Sequence, residues 1–177
     1  MNTELACMAI EIPRVAGHPN REPFHGVLTL IDAPSDKPPA GARGHRVLLT
    51  RAAAEAALPS LLGMALDYAP SLDRHDARRK VGVITRAEIV GRNLELGGYL
   101  FAKDFPEIVD QIEKAGRPGR NPISRDLSLG MSYEIADARI ADVRATVWTL
   151  TTVTFTGAAI LRRDKAAYRN TWIELGE

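Results

Sequence analysis

Apolar and polar positions alternate in short runs along most of this chain, and the length of those runs predicts strands more often than helices. Residues 6–12, ACMAIEI, predict a first strand closed by Pro13, and residues 24–31, FHGVLTLI, a second. HRVLLT at 45–50 predicts a third. The apolar runs at 81–85 and 94–101 flank Gly91-Arg92-Asn93, residues that tolerate positive φ, so together they predict a hairpin. Residues 127–135, LSLGMSYEI, place Leu127, Leu129, Met131 and Tyr133 on one face of a strand and Ser128, Gly130, Ser132 and Glu134 on the other. VWTLTTVTF at 147–155 is the most β-prone segment, and Gly157-Ala158-Ala159 is expected to break it.

Helical periodicity is confined to two places. The alanine-rich residues 51–58 follow Thr50 as an N-cap and stop at Pro59. In DFPEIVDQIEKAG, Asp104 is the expected N-cap, Pro106 fits the first turn, and Ile108, Val109 and Ile112 share one face. Gly116 stands where a left-handed cap would end the helix. A last helix or turn is expected over 164–169. The Pro- and Gly-rich residues 33–44 and the basic residues 117–125 predict exposed loops, each placed to act as a flap. Many short strands with few helices, and no regular βαβ alternation, suggest a mainly β chain in an α+β or barrel-like arrangement rather than a doubly wound parallel sheet.

Length and composition narrow the function classes. A chain of 177 residues is expected to form a single domain over 1–177. A formal net charge of +1 lacks the footprint of a protein that grips nucleic acid directly. Cys7 is the sole cysteine, which rules out an internal disulfide. The first fifteen residues carry Glu4 and Glu11 and no basic cluster, unlike a signal peptide, and no apolar run is long enough to span a bilayer as a helix. A soluble, intracellular protein with no membrane partner is the expectation.

Most catalytic signatures are missing. His18, His25, His45, His75 and Cys7 have no metal-ligand spacing, so no metal is expected, and a zinc site would have to be assembled from scattered loops. Gly97-Gly98 lacks any phosphate-loop framework, so no nucleotide cofactor is expected, and there is no GxSxG elbow. What remains is a histidine, His75, just ahead of a strand, where a sheet would hold it within reach of solvent as a general base. Ser128 and Ser132, on a strand of their own, offer a hydroxyl. A serine and a histidine on separate strands can form a nucleophile–base pair whatever their order in the chain.

The segments PSDKPPAGARGHRVLLTR, LDRHDARRKVGVITRAEIVGRNLELGGYLFAKDFPEIV, LGMSYE and TVTFTGAAIL, in that order, resemble the prohead (capsid-maturation) serine proteases of tailed bacteriophages, a family related in fold to the herpesvirus assemblins. The resemblance runs from about Phe24 to about Tyr168. It implies an assemblin-like, seven-stranded β-barrel core flanked by a few helices, and a Ser–His endopeptidase that trims scaffold and major capsid protein inside the procapsid, in the host cytoplasm. His75 matches the family's catalytic histidine. Its serine pattern fits both Gly130-Met131-Ser132-Tyr133 and Leu127-Ser128-Leu129-Gly130, with Ser132 preferred.

The resemblance also implies an acidic residue in the β segment after the serine, where this chain has Thr149-Leu150-Thr151-Thr152-Val153-Thr154. Assemblins place a second histidine there, and no histidine follows His75. The group that orients His75 must then be Asp76, Asp137, Asp142, Glu134, a threonine hydroxyl or a backbone carbonyl. A protease fold that has lost catalysis and serves procapsid assembly is the alternative function, and the likeness to assemblins implies a homodimer.

Overall fold

The computed structural model describes residues 7–115 and 128–176. Nine strands and two helices follow one another as β1 (Cys7–Ala9), β2 (Glu22–Leu30), β3 (Arg46–Leu49), α1 (Arg51–Ala57), β4 (Ala65–Tyr68), β5 (Lys80–Val90), β6 (Asn93–Leu100), α2 (Pro106–Ala115), β7 (Leu129–Ile140), β8 (Val147–Arg162) and β9 (Trp172–Leu175). All nine belong to one sheet whose continuous path is β3-β8-β4-β5-β6-β2-β9, with β1 added on β5 and β7 on β8. The α+β, mainly β architecture expected from the sequence is what forms, a curled half-barrel rather than a doubly wound sheet.

Local chemistry accounts for the elements. Thr50, extended, accepts the Ala53 amide on its side chain and so caps α1, and Pro59 turns the chain into a 3₁₀ turn at Leu58–Leu61. Gly91, at φ 60°, closes the β5–β6 hairpin, with Val90 opposite Asn93. The stripe on α2 buries Ile108 and Ile112 completely and Val109 in part. Asp104 does not act as a simple cap; its carboxylate accepts the side-chain amide of Asn20 at 2.8 Å. Gly116 and the basic loop at 117–125 lie outside the described residues.

Several boundaries differ from the pattern reading. β1 covers only Cys7–Ala9 and is exposed throughout, because it borders β5 at an edge instead of facing the core. β7 runs through Ala136-Asp137-Ala138, three residues whose local pattern reads as a turn. A bulge with Asp137 at φ 51° absorbs those residues without ending the strand. Likewise, Gly157-Ala158-Ala159 does not break β8. Small residues can continue a strand when its neighbours supply the packing, and β8 is paired there on both edges, by β4 and β7. Residues 164–169 form turns only, and β9, which no apolar run announced, pairs with β2.

Candidate functional site

Three strands set the site: β4, β8 and β7 lie side by side, with β8 in the middle. Directly paired residues point to the same face of a sheet. Leu66 of β4, Ala158 of β8 and Tyr133 of β7 form one row, and the next row, on the opposite face, is Asp67, Ala159 and Ser132. Glu134 lies two residues beyond Ser132 on β7, hence on the same face, and pairs with Gly157. One face therefore carries two carboxylates and a hydroxyl across a middle strand of almost no side-chain volume.

Small residues on β8 make that arrangement fit. A Cβ on Gly157 would sit 2.9 Å from Oε2 of Glu134 and 3.2 Å from the carbonyl of Ala65. The Gly-Ala-Ala run is thus the trough in which Glu134 lies.

Residues 69–79, an irregular connection from β4 to β5, bring His75 over this face. Leu72 is nearly buried, and its carbonyl accepts the Arg162 amide at 2.8 Å, which ties the connection to β8. On the other side of His75, the Asp76 amide donates to Oδ1 of Asp67 at 3.0 Å and the Asp76 carbonyl accepts the Arg79 amide at 2.9 Å. Held between these anchors, His75 places Nδ1 3.0 Å from Oε1 of Glu134. A carboxylate can only accept, so Nδ1 carries a proton, and in the neutral ring Nε2 then keeps its lone pair. That tautomer is the one a general base needs.

Asp67 is fully buried, whereas His75 and Glu134 keep about a quarter of their side-chain surface. Burial pushes the Asp67 carboxyl above its ordinary value, and the Glu134 charge adds to the rise. The Asp76 amide, His75 and Lys80 pull the other way. Asp76 itself is held below the usual carboxylate range, chiefly by the Arg78 amide.

Ligand atoms of Asp67, His75 and Glu134 all lie within 4.8 Å of one another, a set that spacing along the chain concealed because its members come from three separate segments. Their chemistry would suit a divalent cation. Two features already serve Asp67, however: the Asp76 amide on Oδ1, and the Lys80 ammonium 3.5 Å from Oδ2. The set is therefore charge-paired from within the chain, and no step below passes through a metal.

His75, Ser132 and Glu134 line one cavity of about 730 Å³. It extends from them between the loop bearing Pro38 and Ala42 and the far half of the β7–β8 hairpin, where Ile140 and Trp148 supply an apolar wall. His45 stacks on Trp148 with ring centroids 4.4 Å apart. The flap expected over 33–44 thus borders the site. Ser128 lies one residue ahead of β7, away from these groups, where its carbonyl accepts the Arg163 amide at 2.9 Å. Asp137 and Asp142 sit farther along β7 and in the turn after it, and Asp76 faces its own loop, with its carboxylate accepting the Arg78 amide. Of the orienting groups the sequence left open, Glu134 is the one on the imidazole.

No protein-family model matches the chain, and no curated protein does. Among solved structures the fold is that of a herpesvirus assemblin protease. One similar structure is KSHV protease, crystallised with a hexapeptide phosphonate inhibitor, at a TM-score of 0.52 and 14% identity over 89% of this chain and 65% of that one. This chain thus spans less than two thirds of that neighbour's length.

Proposed function

We propose that the protein is a serine endopeptidase in which Ser132 is the nucleophile, His75 the base and Glu134 the acid that orients it. The observation that carries this reading is the 3.0 Å contact between Nδ1 of His75 and Glu134, two residues along the strand from Ser132 in the same cavity. In the reaction, Nε2 of His75 takes the Ser132 proton as Oγ attacks a peptide carbonyl, and the bond formed is an acyl ester. The proton passes from His75 to the departing amine as the peptide C–N bond breaks. Water, deprotonated by the same nitrogen, then releases the acyl group and restores the Ser132 hydroxyl. Glu134 stays ionised and stabilises the imidazolium in both steps.

The apolar wall beside Trp148 and Ile140 suits an extended chain with apolar side chains, as a peptide substrate would offer. From the resemblance described above, the substrates are scaffold and major capsid protein of a tailed-phage procapsid, processed inside that particle, with the protease acting as a homodimer. The inactive, assembly-only reading drew its support from the acid missing over 149–154, and Glu134 supplies that acid from the serine's own strand.

The test is co-expression with the neighbouring capsid and scaffold proteins, followed by intact-mass analysis. Cleavage by the unchanged chain, lost in His75→Ala and Ser132→Ala but kept in Ser128→Ala, is the expected result. Undiminished cleavage by Ser132→Ala would overturn the assignment, and no cleavage by any chain, the unchanged one included, would favour the assembly role.

A further inference from the structure

Asp67 has no counterpart in a three-residue Ser–His–acid site, and the sheet does not need it. Its neighbours on β4, Leu66 and Tyr68, are apolar or aromatic and buried, and a leucine would continue the strand without the cost of placing a carboxylate where no solvent reaches it. What the carboxylate does instead is visible in its contacts. Oδ1 accepts the amide of Asp76, the peptide that follows His75, and it does so from the row of the sheet that also holds Ser132. His75 belongs to a connection whose Asp73, Arg74 and Arg78 are exposed, with a fixed anchor at Leu72 on one side. On the other side, among the described residues, this hydrogen bond is the sheet's nearest hold on the backbone next to His75; the next, from the Tyr68 amide to the Arg79 carbonyl at 3.3 Å, lies three residues farther on.

We infer that Asp67 is a positioning residue, which seats His75 against Glu134 by gripping the Asp76 amide from β4. The inference rests on the protease reading for the role of His75, but the geometry it asserts stands apart from cleavage. With the grip released, the connection can slide over the shallow Gly-Ala-Ala surface of β8, and the imidazole loses its alignment with the carboxylate. An asparagine can accept the same amide through its side-chain oxygen, so Asp67→Asn retains the grip. Asp67→Leu fills a similar volume with no acceptor, and Asp67→Ala removes both volume and acceptor.

The experiment reads the tautomer of His75 by long-range proton–nitrogen correlation at a pH where histidine is neutral, about 8.5. The signal is assigned by its loss in His75→Ala. In the unchanged chain and in Asp67→Asn, the proton is expected on Nδ1, the nitrogen facing Glu134. In Asp67→Leu and Asp67→Ala it is expected to shift towards Nε2, as in free histidine. On a cleaved substrate, kcat should fall roughly a hundredfold in those two variants with KM unchanged, and stay within about threefold in Asp67→Asn.

A folded Asp67→Leu or Asp67→Ala variant that keeps the Nδ1 tautomer overturns the inference. So does an Asp67→Asn variant that loses it as fully as the leucine variant. If the unchanged chain cleaves nothing, the tautomer still decides the role of Asp67, and only the protease reading fails.

Discussion

Nδ1 of His75 and Oε1 of Glu134 meet at 3.0 Å across 59 positions of sequence, one residue on an irregular connection and the other on a strand. The carboxylate fixes which nitrogen holds the proton, and therefore which nitrogen can work. Glu134→Gln preserves size and hydrogen-bonding capacity, but its side-chain amide can donate to Nδ1 and favour the opposite tautomer. Expected is a fall in kcat of about 10²- to 10⁴-fold with KM within a few-fold of the unchanged chain and an unaltered circular dichroism spectrum. Steady-state kinetics on one substrate settles it, and an unaltered kcat would remove Glu134 from the site.

Gly157 is the floor under that carboxylate. Alanine there would push against Oε2 of Glu134 at 2.9 Å and against the Ala65 carbonyl at 3.2 Å, and the side chain yields more easily than the backbone. Gly157→Ala is therefore expected to lower kcat at least tenfold while reducing stability by about 1 kcal/mol, the lower end of overpacking costs. A variant whose activity is intact and whose melting temperature falls sharply would show that the backbone had moved instead.

His75, the serine strand, the β5–β6 hairpin and both helices were legible because each rests on local pattern: alternation, a turn at Gly91, a cap at Thr50. The trough was not. Gly157-Ala158-Ala159 reads as a break to any rule that asks what the segment itself prefers, and only the pairing of β8 with β4 and β7 shows that small side chains there make room for Glu134. Glu134 was one candidate among several for the same reason. Its spacing from Ser132 places both on one face, but nothing local states that the connection bearing His75 will cross that face. Asp67 was hidden inside a short apolar run, where a lone acidic residue between Leu66 and Tyr68 was the available signal.

The hydroxyl of Tyr68, on the opposite face of β4 from Asp67, donates to Glu107 of α2 and accepts from Arg79 at 3.1 Å, while the Arg79 guanidinium lies 5.1 Å from the Tyr68 ring centre. This cluster ties α2 to the start of β5. Tyr68→Phe keeps the ring in the core and deletes only the hydroxyl, so the loss should be about 1 kcal/mol, since a part-buried hydrogen bond to a charged and half-exposed partner is removed. Urea denaturation measures it. A change below 0.5 kcal/mol, on the order of an average surface substitution, would mean that Arg79 and Glu107 hold the helix without the tyrosine.

Asp67 gives the stability of the protein a definite pH dependence. Its carboxyl is raised in the fold above the ordinary 3.8, mainly by burial, so between those two values the folded chain holds a proton that the unfolded chain has released. Stability linked to this group is full below the unfolded value and is lost as pH rises through the folded value. Asparagine carries no charge at any of these pH values and still accepts the Asp76 amide. Lys80, released from its partner, is exposed enough to be solvated. Asp67→Asn should therefore match the unchanged chain most nearly at the acid end and gain on it steadily as pH is raised towards neutrality. Denaturation midpoints at pH values on either side of 4 and at 7 give the comparison directly. If the unchanged chain were the one to gain with pH, the Lys80 contact and the Asp76 amide would outweigh burial, and the ionised form of Asp67 would be the one the fold prefers.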